Sequence, residues 1–104
     1  MLKRWIQNVN NQYIKYKIPF LKDSYLIQWK PQSRTIIHDH NNKNCDFIIL
    51  QYSLWEYVYK NKDNNSMYLS RELDPLKRYN IKKDEYHQML NLDNREVWSY
   101  HKYY

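Results

Sequence analysis

The stretch WKPQSRTIIHDHNNKNCDFIILQYSLWEY, Trp29 to Tyr57, carries the pattern on which the fold of this chain turns. In its middle stand two histidines two residues apart, His38 and His40, and the chain's single cysteine, Cys45, follows five residues after the second. With Thr35–Asp39 (TIIHD) as a strand, side chains alternate, so His38 and His40 share a face with their Cα atoms about 6.6 Å apart. Both imidazoles then reach one metal ion. Taken alone, the pair is equally two hydrogen-bonded or exposed histidines that bind nothing. The rest of the chain has to separate the two.

Outward from this stretch the sequence breaks into short runs rich in Ile, Tyr, Trp and Val. Tyr13–Ile18, Tyr25–Trp29, Phe47–Gln51, Leu54–Tyr59, Asn80–Lys82, His87–Leu92 and Glu96–Tyr103 all read as strands. Turn material cuts them: LKDS, KPQS, NNKN, KDNNS, KKDE and DNR. Short strands at a spacing of roughly ten residues point to an all-β sandwich or barrel. Only the first dozen residues and Ser70–Tyr79 are left for helical turns. Glycine is absent, so tight hairpins have to draw their positive φ from Asn and Asp, which sit at nearly every proposed turn.

Composition narrows the function. With 104 residues, 42% hydrophobic and 17% aromatic, residues 1–104 read as one domain with a modest core in which Tyr and Trp supply much of the burial. The net charge of +6 raises nucleic acid as a partner, but the basic residues are scattered rather than clustered. The chain has neither Gly nor Ala and is crowded with Asn, Lys, Ile and Tyr, as an A/T-rich coding sequence of a virus or parasite would give. Much of the Lys excess then reflects base composition rather than binding. No apolar run approaches the roughly 20 residues that span a bilayer, and MLKRWIQNVNNQ lacks the apolar core of a signal peptide. A monomeric cytoplasmic protein is expected, and a lone cysteine builds no internal disulfide.

Support for a site comes from the far end of the chain. His87 opens a strand after the turn KKDE, and in SYHKY the alternation puts Ser99, His101 and Tyr103 on one face, with Tyr100 and Lys102 on the other. By itself such a strand is also what a polar outer face looks like.

Taken together, these motifs resemble the cysteine dioxygenase family of cupins. Trp29–Tyr57 is similar without a gap to that family's first motif, Tyr79–Asn91 (YNIKKDEYHQMLN) to its second, and SYHKY to its Ser-His-Tyr row. The resemblance covers about two thirds of the chain. It implies a small cupin barrel, a double-stranded β-helix or jelly roll, holding non-haem Fe(II) on His38, His40 and His87. It implies oxidation of a cysteine-like thiol to sulfinate by O2. Neutral imidazoles suit ferrous iron, and three on one face leave adjacent positions open. Cys45 and Tyr103 are the implied thioether pair, with His101 orienting the phenol and Ser99 orienting His101.

Several positions depart from the family pattern. Where the family binds the substrate carboxylate with an arginine in Tyr-x-Arg, this chain has Tyr13-Ile14-Lys15, and Lys15 offers a point charge without a fork. Lys17 shares its face and is a rival. Asp39 alternates away from both histidines and is expected on the opposite face. Gln32, Arg34 and Tyr52 stand where cupins have glycine, so those loops are expected to be rebuilt. The family's extra helices are missing, which implies a more open pocket that would admit larger thiols such as a peptide with an N-terminal cysteine. Two rivals accompany the oxygenase: a catalytically degenerate metal-binding cupin serving as a binding module, and a basic nucleic-acid-binding domain.

Overall fold

The computed structural model describes the backbone of residues 3–8 and the whole of residues 13–104. Nine strands follow in order: β1 Lys3–Asn8, β2 Tyr13–Lys17, β3 Ser24–Trp29, β4 Cys45–Ile49, β5 Leu54–Tyr59, β6 Met67–Leu73, β7 Arg78–Ile81, β8 Tyr86–Leu90 and β9 Val97–Tyr103. They form a six-stranded sheet, ordered β1-β2-β3-β9-β4-β7, and a three-stranded sheet, ordered β6-β5-β8. Every named pair is antiparallel. The two sheets face each other across a core of Trp29, Phe47, Ile49, Leu54, Val58, Leu73, Ile81 and Val97.

Alternation explains which residues reach that core. In β4 Cys45, Phe47 and Ile49 are buried while Asp46 and Ile48 are partly exposed, and in β5 Leu54, Glu56 and Val58 are buried. β9 lies between β3 and β4, pairing with β3 from Val97 to Lys102 and with β4 from Ser99 to Tyr103. Its final turn is held as well, since Tyr103 N–H donates to Asp23 O at 2.9 Å.

Three sequence expectations need correcting. The first dozen residues hold strand β1 rather than a helical turn, although residues 1–2 and 9–12 lie outside the described set. Ser70–Tyr79 holds the end of β6 and the start of β7, because each finds a neighbouring strand to pair with. Thr35–Asp39 is not a regular strand. It meets β8 through isolated bridges at Arg34 and His38, with Gln88 Nε2 and Met89 N–H donating to Thr35 O and Oγ1 between them.

Without glycine, the chain turns on other residues in left-handed backbone. Asp23, Asn41 and Asn42 have φ of 54°, 51° and 66°, as the turn composition suggests. Gln32 and Tyr52 also adopt left-handed backbone, with φ of 64° and 60°, at a cost of about 1–2 kcal/mol each. Gln32 offsets this by donating from Nε2 to Leu92 O and Asp93 O, and Tyr52 by stacking under the Arg95 guanidinium at 3.8 Å.

Phe47 is fully buried and stacks on Tyr79 and His101. Phe47→Ala is expected to cost about 3–5 kcal/mol of stability, read as a lowered urea midpoint with an unchanged slope.

Candidate metal centre

Three imidazoles meet at one end of the barrel. His38 and His40 come from the segment between β3 and β4, and His87 from β8. Two backbone hydrogen bonds bring them together: His38 N–H donates to His87 O at 3.0 Å, and His87 N–H donates to His38 O at 2.9 Å. One ring nitrogen from each of the three lies within 4.8 Å of the others.

The tautomers follow from the hydrogen bonds. His38 Nδ1–H donates to Ile36 O at 2.8 Å, and His87 Nδ1–H donates to Glu56 Oε2 at 2.7 Å. Both therefore turn an Nε2 lone pair towards the centre. The Nε2 atoms of His40 and His87 stand 3.1 Å apart. Two such lone pairs repel unless a proton or a cation lies between them. A divalent ion holding imidazole nitrogens at about 2.0–2.1 Å puts two in adjacent positions about 3 Å apart, so the spacing suits a metal. Burial holds all three imidazoles neutral: His38 and His87 lie below their ordinary value, and His40 is pushed down to about 2. Neutral imidazole is the ligand form, and it suits iron, zinc, copper and nickel.

A cavity of about 530 Å³ opens over this cluster, lined also by Tyr13, Lys15, Tyr25, His101 and Tyr103. Lys15 Nζ donates to the Tyr103 phenol oxygen at 2.9 Å and sits 4.4 Å from the ring centroids of Tyr25 and Tyr103. Burial lowers the Lys15 pKa to about 8. It also raises the Tyr103 phenol well above its ordinary value, with nearby Cys45 adding to the rise. Tyr13 stacks on Trp29. Lys17 lies over Tyr25 at 5.2 Å, away from the cavity lining.

Cys45 and Tyr103 are direct cross-strand partners. Their neighbours Asn44 and Tyr104 exchange both backbone hydrogen bonds, at 2.8 and 3.0 Å. Cys45 and Tyr103 thus form the alternate pair, whose side chains approach more closely. A buried relay runs up to the sulfur. Trp29 Nε1–H donates to Ser99 Oγ at 2.8 Å, so the Ser99 hydroxyl donates to His101 Nε2 at 2.7 Å. His101 then carries its proton on Nδ1, 3.7 Å from Cys45 Sγ. Burial pushes the Cys45 thiol up to about 12.

Neither a protein-family model nor a curated protein matches the sequence. Solved structures do match in fold. The Drosophila melanogaster CENP-C cupin domain aligns with a TM-score of 0.76 at 9% identity, covering 99% of this chain and 75% of that one. CENP-C bound to CAL1, also from Drosophila melanogaster, gives 0.77 at 9% identity over 99% of this chain and 76% of that one. Oxalate oxidase gives 0.66 at 15% identity over 77% of this chain, which spans 40% of the length of the oxidase.

The chain has the cupin fold. Within this fold the structure brings His38, His40 and His87 into one cluster and gathers Lys15, Tyr13, His101 and Tyr103 around the same cavity. Two details differ from the sequence expectations. His101 directs its ring nitrogen at Cys45 rather than at the phenol, because Trp29 and Ser99 fix its other side, and Lys15 holds the phenol instead. Asp39 lies outside the ligand cluster but lines the cavity, because its segment is not a regular strand. Glu56 was missed as a site residue, although an acid on the buried face of LWEYVY, between Leu54 and Val58, was a legible signal.

Wild-type protein is expected to bind one divalent transition metal ion per chain. His87→Ala or His40→Ala should abolish stoichiometric binding, measured by elemental analysis after dialysis.

Proposed function

We propose that this cupin is a non-haem Fe(II)-dependent thiol dioxygenase, converting cysteine or a related thiol to the sulfinic acid with O2. The coincidence on one cavity of a three-imidazole cluster and Tyr103, whose direct cross-strand partner is the buried Cys45, carries this reading. Ferrous iron on His38, His40 and His87 would supply a dicationic centre, undiminished by a carboxylate ligand, at which a thiolate and O2 can meet. Both oxygen atoms end on sulfur, so thiol plus O2 balances sulfinic acid.

Lys15, protonated below about pH 8, faces the cavity and can pair with a substrate carboxylate. Lacking the arginine fork, it selects charge more than shape. Tyr103 presents its phenol beside His40, with ring centroids 5.2 Å apart, and is held there by Lys15. The cross-strand pairing of Cys45 and Tyr103 also favours a thioether. An S–H and an ortho C–H bond break, an S–C bond forms, and O2 takes up both hydrogens as hydrogen peroxide.

A second reading is a metal-holding cupin that serves as a binding module. The alignment of CENP-C bound to CAL1 over 99% of this chain favours it.

Incubation with Fe(II), cysteine and air separates the two: sulfinate should accumulate well above a His87→Ala control, and equal traces in both would remove the enzyme. Intact mass should show a species lighter by two hydrogens that resists thiol labelling, absent from Tyr103→Phe. For a carboxylate-bearing thiol, KM should rise as pH climbs through about 8, because Lys15 loses its charge there. Lys15→Ala should raise KM about tenfold or more at pH 7, in line with the loss of a charge-assisted hydrogen bond, while Lys15→Arg should flatten that rise.

A further inference from the structure

Outside the cavity, the buried carboxylate that meets His87 has a second partner, Arg71. Glu56 is fully buried on β5, and both of its carboxylate oxygens are engaged. Oε2 accepts from His87 Nδ1–H at 2.7 Å, and Oε1 accepts from Arg71 Nε–H at 2.6 Å. Arg71 is the direct cross-strand partner of Glu56 on β6, the edge strand of the smaller sheet. Its guanidinium lies 5.1 Å from the ring centroid of Tyr79 on β7, so it bridges towards the other sheet and is partly screened from water.

We propose that Arg71 is a positioning residue for the metal centre, acting through Glu56 on the ring of His87. This rests on the three-histidine cluster holding a metal, and not on thiol chemistry. The fixed positive charge of Arg71 favours the ionised carboxylate, and an ionised carboxylate can only accept from His87. His87 must then donate from Nδ1, which fixes the ring's rotation and leaves Nε2 bare towards His40. The strand pairing sets the distance, since Arg71 and Glu56 are in register and Glu56 reaches across to His87 on the neighbouring strand β8. Carboxylate partners of metal-bound imidazoles tune affinity by about 10–100-fold, and a carboxylate free to rotate forfeits part of that. Arg71 therefore governs the centre from the edge of the barrel without touching a ligand.

The test uses full-length protein and Fe(II) under anaerobic conditions, with a competing chelator to report the dissociation constant and Co(II) absorption to report ligand geometry. Arg71→Met should weaken Fe(II) binding by about 10–100-fold and alter the Co(II) bands. Arg71→Lys should recover most of the affinity. Should Arg71→Met fail to fold around its unpaired carboxylate, the Glu56→Gln/Arg71→Met double variant removes both charges. Folded by circular dichroism, it should bind Fe(II) no more weakly than Glu56→Gln alone, because Arg71 acts only through Glu56. Wild-type affinity and Co(II) bands in folded Arg71→Met would overturn the proposal, and so would a double variant that binds more weakly than Glu56→Gln alone. Wild-type protein that binds neither ion would instead overturn the metal centre on which it rests.

Discussion

A reciprocal pair of backbone hydrogen bonds, His38 to His87 and back again, is the constraint on which the rest of this structure hangs. It joins a segment that forms no regular strand to the strand β8. Around it the chain adds fasteners of another kind: Thr35 takes bonds from Met89 and Gln88, and Ser33 accepts from Asn91 N–H at 2.8 Å. Such mixed fastening holds the segment against the sheet without forcing it into a pleat. Both His38 and His40 then face one centre, although their segment never settles into the alternation of a strand. The isolated bridge does the work that strand geometry was expected to do.

Polar groups buried this way are costly unless each finds a partner. Glu56 meets both Arg71 and His87; Ser99 meets both Trp29 and His101; Asn91 donates to Trp29 O and Arg95 O. The buried exceptions among the described residues are Ser33 Oγ and His40 Nδ1. One of these belongs to the imidazole cluster, where the opposed Nε2 atoms already call for a proton or a cation between them. A metal would stabilise the folded chain, because ligands brought together only by folding bind it only in the folded state. The small apolar core makes that contribution weigh more.

Much of the fold was legible because period two is unambiguous where one face is buried. β4, β5 and β9 show it cleanly, and their positions were read to within a few residues. β6 was not legible: MYLSREL is mostly exposed along its first residues, so no buried face marks its period. The left-handed Gln32 and Tyr52 were hidden for another reason, since only their side-chain partners, Leu92, Asp93 and Arg95, make those conformations tolerable. In the site, the histidines were visible as types and spacings. What was invisible was direction. That His101 faces sulfur and that Lys15 holds the phenol depend on Trp29 Nε1 and on the β2–β3 register, which no local pattern encodes.

The inward faces also change character along their length. β9 runs from Val97 through Ser99 and His101 to Tyr103, and β4 runs the other way from Ile49 through Phe47 to Cys45. β3 passes from Tyr25 through Ile27 to Trp29, and β8 passes from His87 to Met89. Antiparallel pairing aligns these gradients, so one end of the barrel is oily and the other carries imidazole, phenol, thiol and ammonium. Phe47 sits where they meet, stacked on His101 with an interplanar angle of 11° and 6.4 Å from the ring of His87. Its neighbours on one side need burial alone, and on the other they need orientation. Register therefore matters more here than composition. A one-residue slip of β9 would turn Ser99, His101 and Tyr103 outward together, and with them the support of Cys45, while leaving the count of apolar residues unchanged.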